Sequence, residues 1–287
     1  MLAVILASVV AGSDLIEPGA TLQKLGSGYA FAEGPAVDAK GDVFFTDQPN
    51  DRILRWDVDG SITEWMKPCG RANGMRFDRH GFLLACCDEQ NQLWRITADR
   101  QSTVLAKDFQ GKLLNGPNDV WVRPDNGVYL TDPLYARPYW KRDPKPQQPG
   151  QYVFFLSVDR KALNPVDRDL KMPNGIIGTA DGRILYVSDI GDGKTYRYRI
   201  SGDGSLTDKT LFCSLGSDGM TMDSRGDVYL TGHGVTVFDK TGKQIEHIDV
   251  PESWTGNITF AGKDRHLLFM TATHSVYGLR MRVMGSQ

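Results

Sequence analysis

Six side chains bearing an oxygen donor recur at matched places along the chain: Glu33, Asn73, Asn118, Asn174, Asp218 and Asn257. Each stands eight or nine residues ahead of the residue that opens a β-rich run, and in the first five a Gly or Asp follows immediately. Glu33, Asn118, Asn174 and Asp218 together offer two charged and two neutral oxygens. That set suits a hard divalent cation, Ca²⁺ first, with waters completing roughly six to eight ligands; Mg²⁺ and Mn²⁺ also take oxygen. Zn²⁺ remains open but fits less well, because it prefers imidazole or thiolate and neither occurs in this register. The plainer reading of Asn-Gly and Asp-Gly is as turn dipeptides whose side chains satisfy local backbone. It accounts for any single copy, but a turn has no use for Glu at position 33, and six copies in register ask for a common cause.

The elements that must position these donors are the runs themselves. They read GDVFFTD from Gly41 to Asp47, GFLLACCD from Gly81 to Asp88 and GVYLTD from Gly127 to Asp132. GRILYVSD from Gly182 to Asp189, GDVYLTG from Gly226 to Gly232 and RHLLFMT from Arg265 to Thr271 complete the series. Successive donors are 40, 45, 56, 44 and 39 residues apart, the spacing of one four-stranded sheet per repeat. In the first repeat the strands fall at 35–38, 41–46, 52–57 and 62–65, with Asp, Gly and Asn turns between them. No segment shows a helical period long enough to compete. The fold expected is therefore all-β: a six-bladed β-propeller of four-stranded blades. The last repeat supplies only three strands, 258–261, 267–271 and 276–283, so a strand from 21–31 is expected to close the ring and cover its edge.

This organisation leaves residues 1–20 as an apolar leader or N-terminal arm and 21–287 as a single domain with an insertion at 133–150. The run Leu2 to Ala11 resembles the apolar part of a secretory signal but lacks a basic flank, so an exported or periplasmic location and a cytoplasmic one both stay open. At ten residues it is too short to span a bilayer. With 33 Lys and Arg against 35 Asp and Glu, no basic excess exists to neutralise a phosphate backbone, which argues against a nucleic-acid partner. Cys69, Cys86, Cys87 and Cys213 have neither disulfide nor metal-site spacing; being adjacent on a strand, Cys86 and Cys87 point to opposite faces, so at most one of them is expected in the core.

In a propeller the first strand of each blade lines the axial channel, so the six donors should ring one mouth. Asp47, Asp132 and Asp189, at the ends of second strands, return to that face, as do His233 and His274, either of which could act as a base near neutral pH. The insertion is too long for a hairpin turn and reads as an ordered lid. Its Tyr135, Tyr139 and Trp140 could stack on a sugar ring, and its Arg137, Lys141 or Arg142 could attract a carboxylate or phosphate.

The motifs AEGP at 32–35, GPNDV at 116–120, LTDP at 130–133, MPNG at 172–175, YVSD at 186–189 and SDGM at 217–220 resemble, in combination and order, the gluconolactonase/regucalcin family of six-bladed propellers. The resemblance runs from about residue 28 to 283 and leans toward bacterial gluconolactonases. It implies Glu33, Asn174 and Asp218 as metal ligands, with Asn118 as a fourth ligand or a substrate contact through water. Asn73 and Asn257 would line the pocket, joined as substrate contacts by Asp132, Tyr135, Arg137, His233 and His274. The implied activity is opening of a sugar lactone to the acid, with Asp218 as candidate general base. Two other classes share the architecture: a phosphotriesterase or arylesterase, and a non-catalytic propeller whose metal is structural and whose face binds a partner. The oligomeric state is open.

Overall fold

A computed structural model describes residues 14–286. The apolar run Leu2 to Ala11 lies outside the described residues. Just beyond it the chain is packed: Leu15 is buried, and Ile16 bridges Met281.

Six sheets of four antiparallel strands succeed one another along the chain, each ordered from the axis outward. Blade 1 is Ala32–Val37, Val43–Asp47, Arg52–Trp56 and Ile62–Met66; blade 2 is Ala72–Phe77, Leu83–Cys87, Gln92–Ile96 and Ser102–Ala106. Blade 3 is Val120–Val122, Val128–Asp132, Tyr152–Leu156 and Leu163–Asp167, and blade 4 is Pro173–Gly178, Ile184–Asp189, Lys194–Ile200 and Leu206–Cys213. Blade 5 is Met220–Met222, Val228–Gly232, Gly234–Phe238 and Gln244–Ile248. Blade 6 takes Asn257–Ala261, Leu267–Ala272 and Ser275–Arg280, and its outermost strand is the N-terminal Gln23–Ser27. The innermost strands touch in cyclic order, the sixth returning to the first. The result is a six-bladed propeller closed by the N-terminal strand. A hairpin, Asp108–Phe109 with Lys112–Leu113, links blades 2 and 3, an element that the repeat pattern does not announce.

Second strands are covered on both faces, since a neighbouring blade packs on each side. Every residue of Val43–Asp47, Leu83–Cys87 and Val128–Asp132 is buried. That corrects the expectation for the adjacent cysteines: Cys86 and Cys87 are both wholly buried, because opposite faces of this strand meet two different neighbours rather than core and solvent. Accordingly, the core is a series of clusters between blades. One gathers Trp121 and Tyr129 of blade 3 with Ile176 and Tyr186 of blade 4 and Met220 of blade 5.

The innermost strands of blades 1, 2 and 4 carry a bulge at the donor and the glycine after it. A bulge re-aims the side chains beside it. The glycine also lets the next blade come close. A Cβ at Gly34, which has φ +47°, would stand 1.9 Å from the Asn73 carbonyl oxygen, and one at Gly219 would stand 2.1 Å from the Asn257 side chain. The donor-glycine pairs are thus strand bulges that fit one blade against the next, not turns.

Candidate active site

Glu33, Asn73, Asn174 and Asn257 lie at the starts of their innermost strands, while Asn118 and Asp218 sit two residues ahead of theirs. Five of the six side chains are buried, and Asp218 is half-buried. Asn174 and Asp218 are joined directly, and the Asp218 charge acts on Glu33. The Asn174 Nδ2 donates to Asp218 Oδ1 at 2.8 Å and to the Tyr135 hydroxyl at 2.9 Å. The other Asp218 oxygen accepts the Trp254 indole N–H at 2.6 Å. Glu33 Oε2 accepts the N–H of Gly34 at 2.6 Å, and the Asn257 amide also favours its charged form.

Electrostatically the group is under load. Burial, and after it the Asp218 charge, holds the Glu33 carboxyl well above the ordinary carboxylate range. Burial likewise raises Asp218, against the Trp254 and Asn174 hydrogen bonds and the Arg137 charge. A third acid, Asp119, stands within reach of both; burial pushes it to about 7, while the Val120 N–H and the Arg76 guanidinium pull it down. Asp119 occupies the place of the glycine that follows the donor in blades 1, 2, 4 and 5. Its being the one acid in that series is the signal that could have singled it out.

Whether these residues suit a cation can be judged from their unmet chemistry. Asn174 Oδ1 is buried without a hydrogen-bond partner, an arrangement that costs about 1–3 kcal/mol unless something occupies it. A buried carboxylate, Glu33, raised by its own burial and by the Asp218 charge asks for positive charge beside it. No group of three or more His, Cys, Asp or Glu able to hold a metal occurs among the described residues, so a site here must draw on amide oxygens beside Glu33 and Asp218. That donor chemistry fits a hard, oxygen-seeking ion.

The other candidates divide. Tyr135 joins the group through Asn174. Arg137 acts on Asp218 electrostatically, lies 3.6 Å from Asp88 and stacks over the Tyr135 ring. Asp132 is wholly buried, its two oxygens taken by the N–H groups of Asn115 and Gly116 at 2.9 and 2.8 Å. Asp47 and Asp189 do the same for Ala30 and Phe31 and for Lys171 and Met172. These second-strand aspartates clasp the segment that enters the innermost strand, which gives Asp132 a structural task there. His274 is exposed, and its Nδ1 meets the Tyr29 carbonyl at 2.9 Å. His233, also exposed, packs edge-on against Trp254, one side chain removed from Asp218. Tyr139 lies beneath Arg71 and the Trp140 indole N–H reaches Asp88, so both dock the insertion, while Arg142 covers the Trp140 ring from within it. Trp254, which holds Asp218, belongs to no motif.

A closed six-bladed ring with acids and amides gathered at one mouth of its axis defines a propeller with an axial site. The chain belongs to the SMP-30/Gluconolactonase/LRE-like family, whose pattern matches residues 31–274. It is 25% identical to a gluconolactonase of Zymomonas mobilis, over 94% of this chain and 84% of that one. A pentonolactonase of Haloferax volcanii is 24% identical, over 80% of this chain and 76% of its own length. The solved structure of a Xanthomonas campestris gluconolactonase superposes with a TM-score of 0.87 at 28% identity, covering 93% of this chain and 91% of the other. These relatives indicate a lactonase acting on a small-molecule lactone, which sets aside the non-catalytic reading. No helix among the described residues is long and apolar enough to cross a membrane.

Proposed function

We propose that the protein opens a sugar lactone to its acid in a reaction that depends on a divalent cation, Ca²⁺ fitting the donors best, held by Glu33, Asn174 and Asp218 with Asn118 beside them. The observation that carries this is the buried Asn174 Oδ1 without a partner, near a buried carboxylate, Glu33, that the Asp218 charge burdens. A bound cation supplies Lewis-acid polarisation of the lactone carbonyl and stabilises the charge that develops on its oxygen. The chain does the rest. Tyr135 and Asp218 fix the Asn174 amide, and the Trp254 indole fixes Asp218. Asp218, held by the Asn174 amide and the Trp254 indole, is the carboxylate that would take a proton from the attacking water. Asn73, Asn257 and Arg137 border the space where the sugar hydroxyls lie.

The test is a pH-stat assay of gluconolactone and pentonolactones, aryl esters and fluorophosphonates, with and without chelator. Lactone hydrolysis that chelator removes and Ca²⁺ restores is the expected result, with Asp218→Asn losing activity by about 10²-fold or more. Chelator-insensitive hydrolysis would overturn the cation dependence, and turnover of the phosphoester or aryl ester alone would overturn the substrate class.

A further inference from the structure

Blade 2 departs from the clasp seen in blades 1, 3 and 4, and the departure frees a carboxylate. Ala32 pairs with Asp47 and Pro173 with Asp189, whereas the equivalent Ala72 pairs with Cys87. Asp88 therefore stands one residue past the clasp position. The clasp itself passes to Asp51, whose Oδ1 accepts the N–H groups of Cys69 and Arg71 at 3.0 and 2.7 Å. Asp88 makes no bond to the segment entering its own blade's innermost strand, although it is only 3% exposed.

Its oxygens are spent on side chains instead, two of them from the insertion. Oδ1 accepts the Trp140 indole N–H at 3.1 Å; Oδ2 accepts Gln48 Nε2 at 2.8 Å and has Arg137 Nε at 3.6 Å. The next residue extends the grip: Glu89 accepts the Lys141 N–H at 2.9 Å and pairs with Arg71, whose guanidinium covers the Tyr139 ring. Between this anchor and the axis run Tyr135, bonded to Asn174, and Arg137, which acts on Asp218. The insertion is thus fastened to blade 2 at one end and reaches the axial group at the other.

We propose that Asp88 is a positioning residue of the lactone site: by holding Trp140 and Arg137 it sets the insertion so that Tyr135 and Arg137 stand over Glu33, Asn174 and Asp218. This rests on the lactonase reading and adds to it the residue that fixes the substrate-facing wall. A buried carboxylate with no main-chain donor is costly to keep unless its side-chain partners repay it; here those partners include Trp140 and Arg137 of the insertion.

The experiment uses the full chain loaded with Ca²⁺ and gluconolactone as substrate. Asp88→Ala should raise KM and lower kcat/KM by about 10- to 100-fold, the cost of misplacing groups that orient a substrate. Amide exchange at residues 134–142 should quicken while the six inner strands keep their protection. Asp88→Asn, which keeps an acceptor for Trp140 but not the charge facing Arg137, should fall between. Trp140→Phe, which keeps the ring beneath Arg142 and removes the donor, should shift exchange and KM in the same direction. Wild-type KM and wild-type exchange in folded Asp88→Ala would overturn the proposal; so would unchanged exchange in Trp140→Phe should the alanine variant fail to fold. If the wild-type protein opens no lactone, the functional reading falls, and exchange across 134–142 still decides the positioning role.

Discussion

Replacing Glu33 by Gln should stabilise the cation-free protein while abolishing its activity. The side chain is 1% exposed and has the Gly34 N–H and the Asn257 amide to offset its charge, with Asp218 as its nearest electrostatic opponent. Gln keeps the shape and removes the ionisation. Relief of an under-compensated buried charge is worth about 1–3 kcal/mol. For a chain of this size each kcal/mol moves the melting temperature by about 2–4 °C, so a rise of about 2–12 °C is expected in chelator. With Ca²⁺ the order reverses: the wild-type protein gains about 2.7 kcal/mol at a hundredfold excess over Kd, and the variant, lacking a ligand, gains little. Thermal melts of both proteins, each in chelator and in saturating Ca²⁺, read all four values. A Glu33→Gln variant that melts below wild type in chelator would refute the reasoning, since the carboxylate would then be well compensated in the empty site.

Two further outcomes rest on the same geometry. Gly219→Ala drives a Cβ to within 2.1 Å of the Asn257 side chain, so it should cost about 1–3 kcal/mol by overpacking and lower lactonase activity in the folded fraction, as checked by denaturant unfolding beside kinetics. Asp88 is pushed up to about 6 by burial, against the pull of Arg137, Trp140, Arg142 and Gln48, with Glu89 and Arg71 as the other charges nearby. Between about pH 4 and 6 the folded protein holds a proton that the unfolded chain has released, so this group's contribution to stability falls as pH rises through that window. Its grip on Arg137 needs the charge and fails below about pH 6, where KM should rise; Asp88→Asn should lose that limb of the KM profile, and its persistence in the variant would assign the limb elsewhere.

The ring was legible because each blade repeats a glycine, a β run and a donor at fixed distance, and those intervals survive in the fold. What the aspartates do was not. Asp47, Asp132 and Asp189 read in the sequence as acids returning to the donor face, and each accepts backbone N–H groups that come from 16 to 18 residues away. Asp88 ends a run just as they do, and only strand pairing reveals the one-residue slip that gives it another task. Trp254 reaches Asp218 across 36 residues and Tyr135 reaches Asn174 across 39. Such contacts are settled by how neighbouring blades pack, which no local spacing encodes.

Closure by the N-terminal strand has a consequence for synthesis. Gln23–Ser27 is made long before Ser275–Arg280, and its edge is paired only when that strand follows; His274 and Tyr29 meet across 245 positions. Glu33 belongs to the first blade, and the amide that favours its charge, Asn257, to the last. A chain interrupted anywhere before blade 6 therefore carries an unpaired edge and lacks Asn257, so the ring stays open until blade 6 has been made.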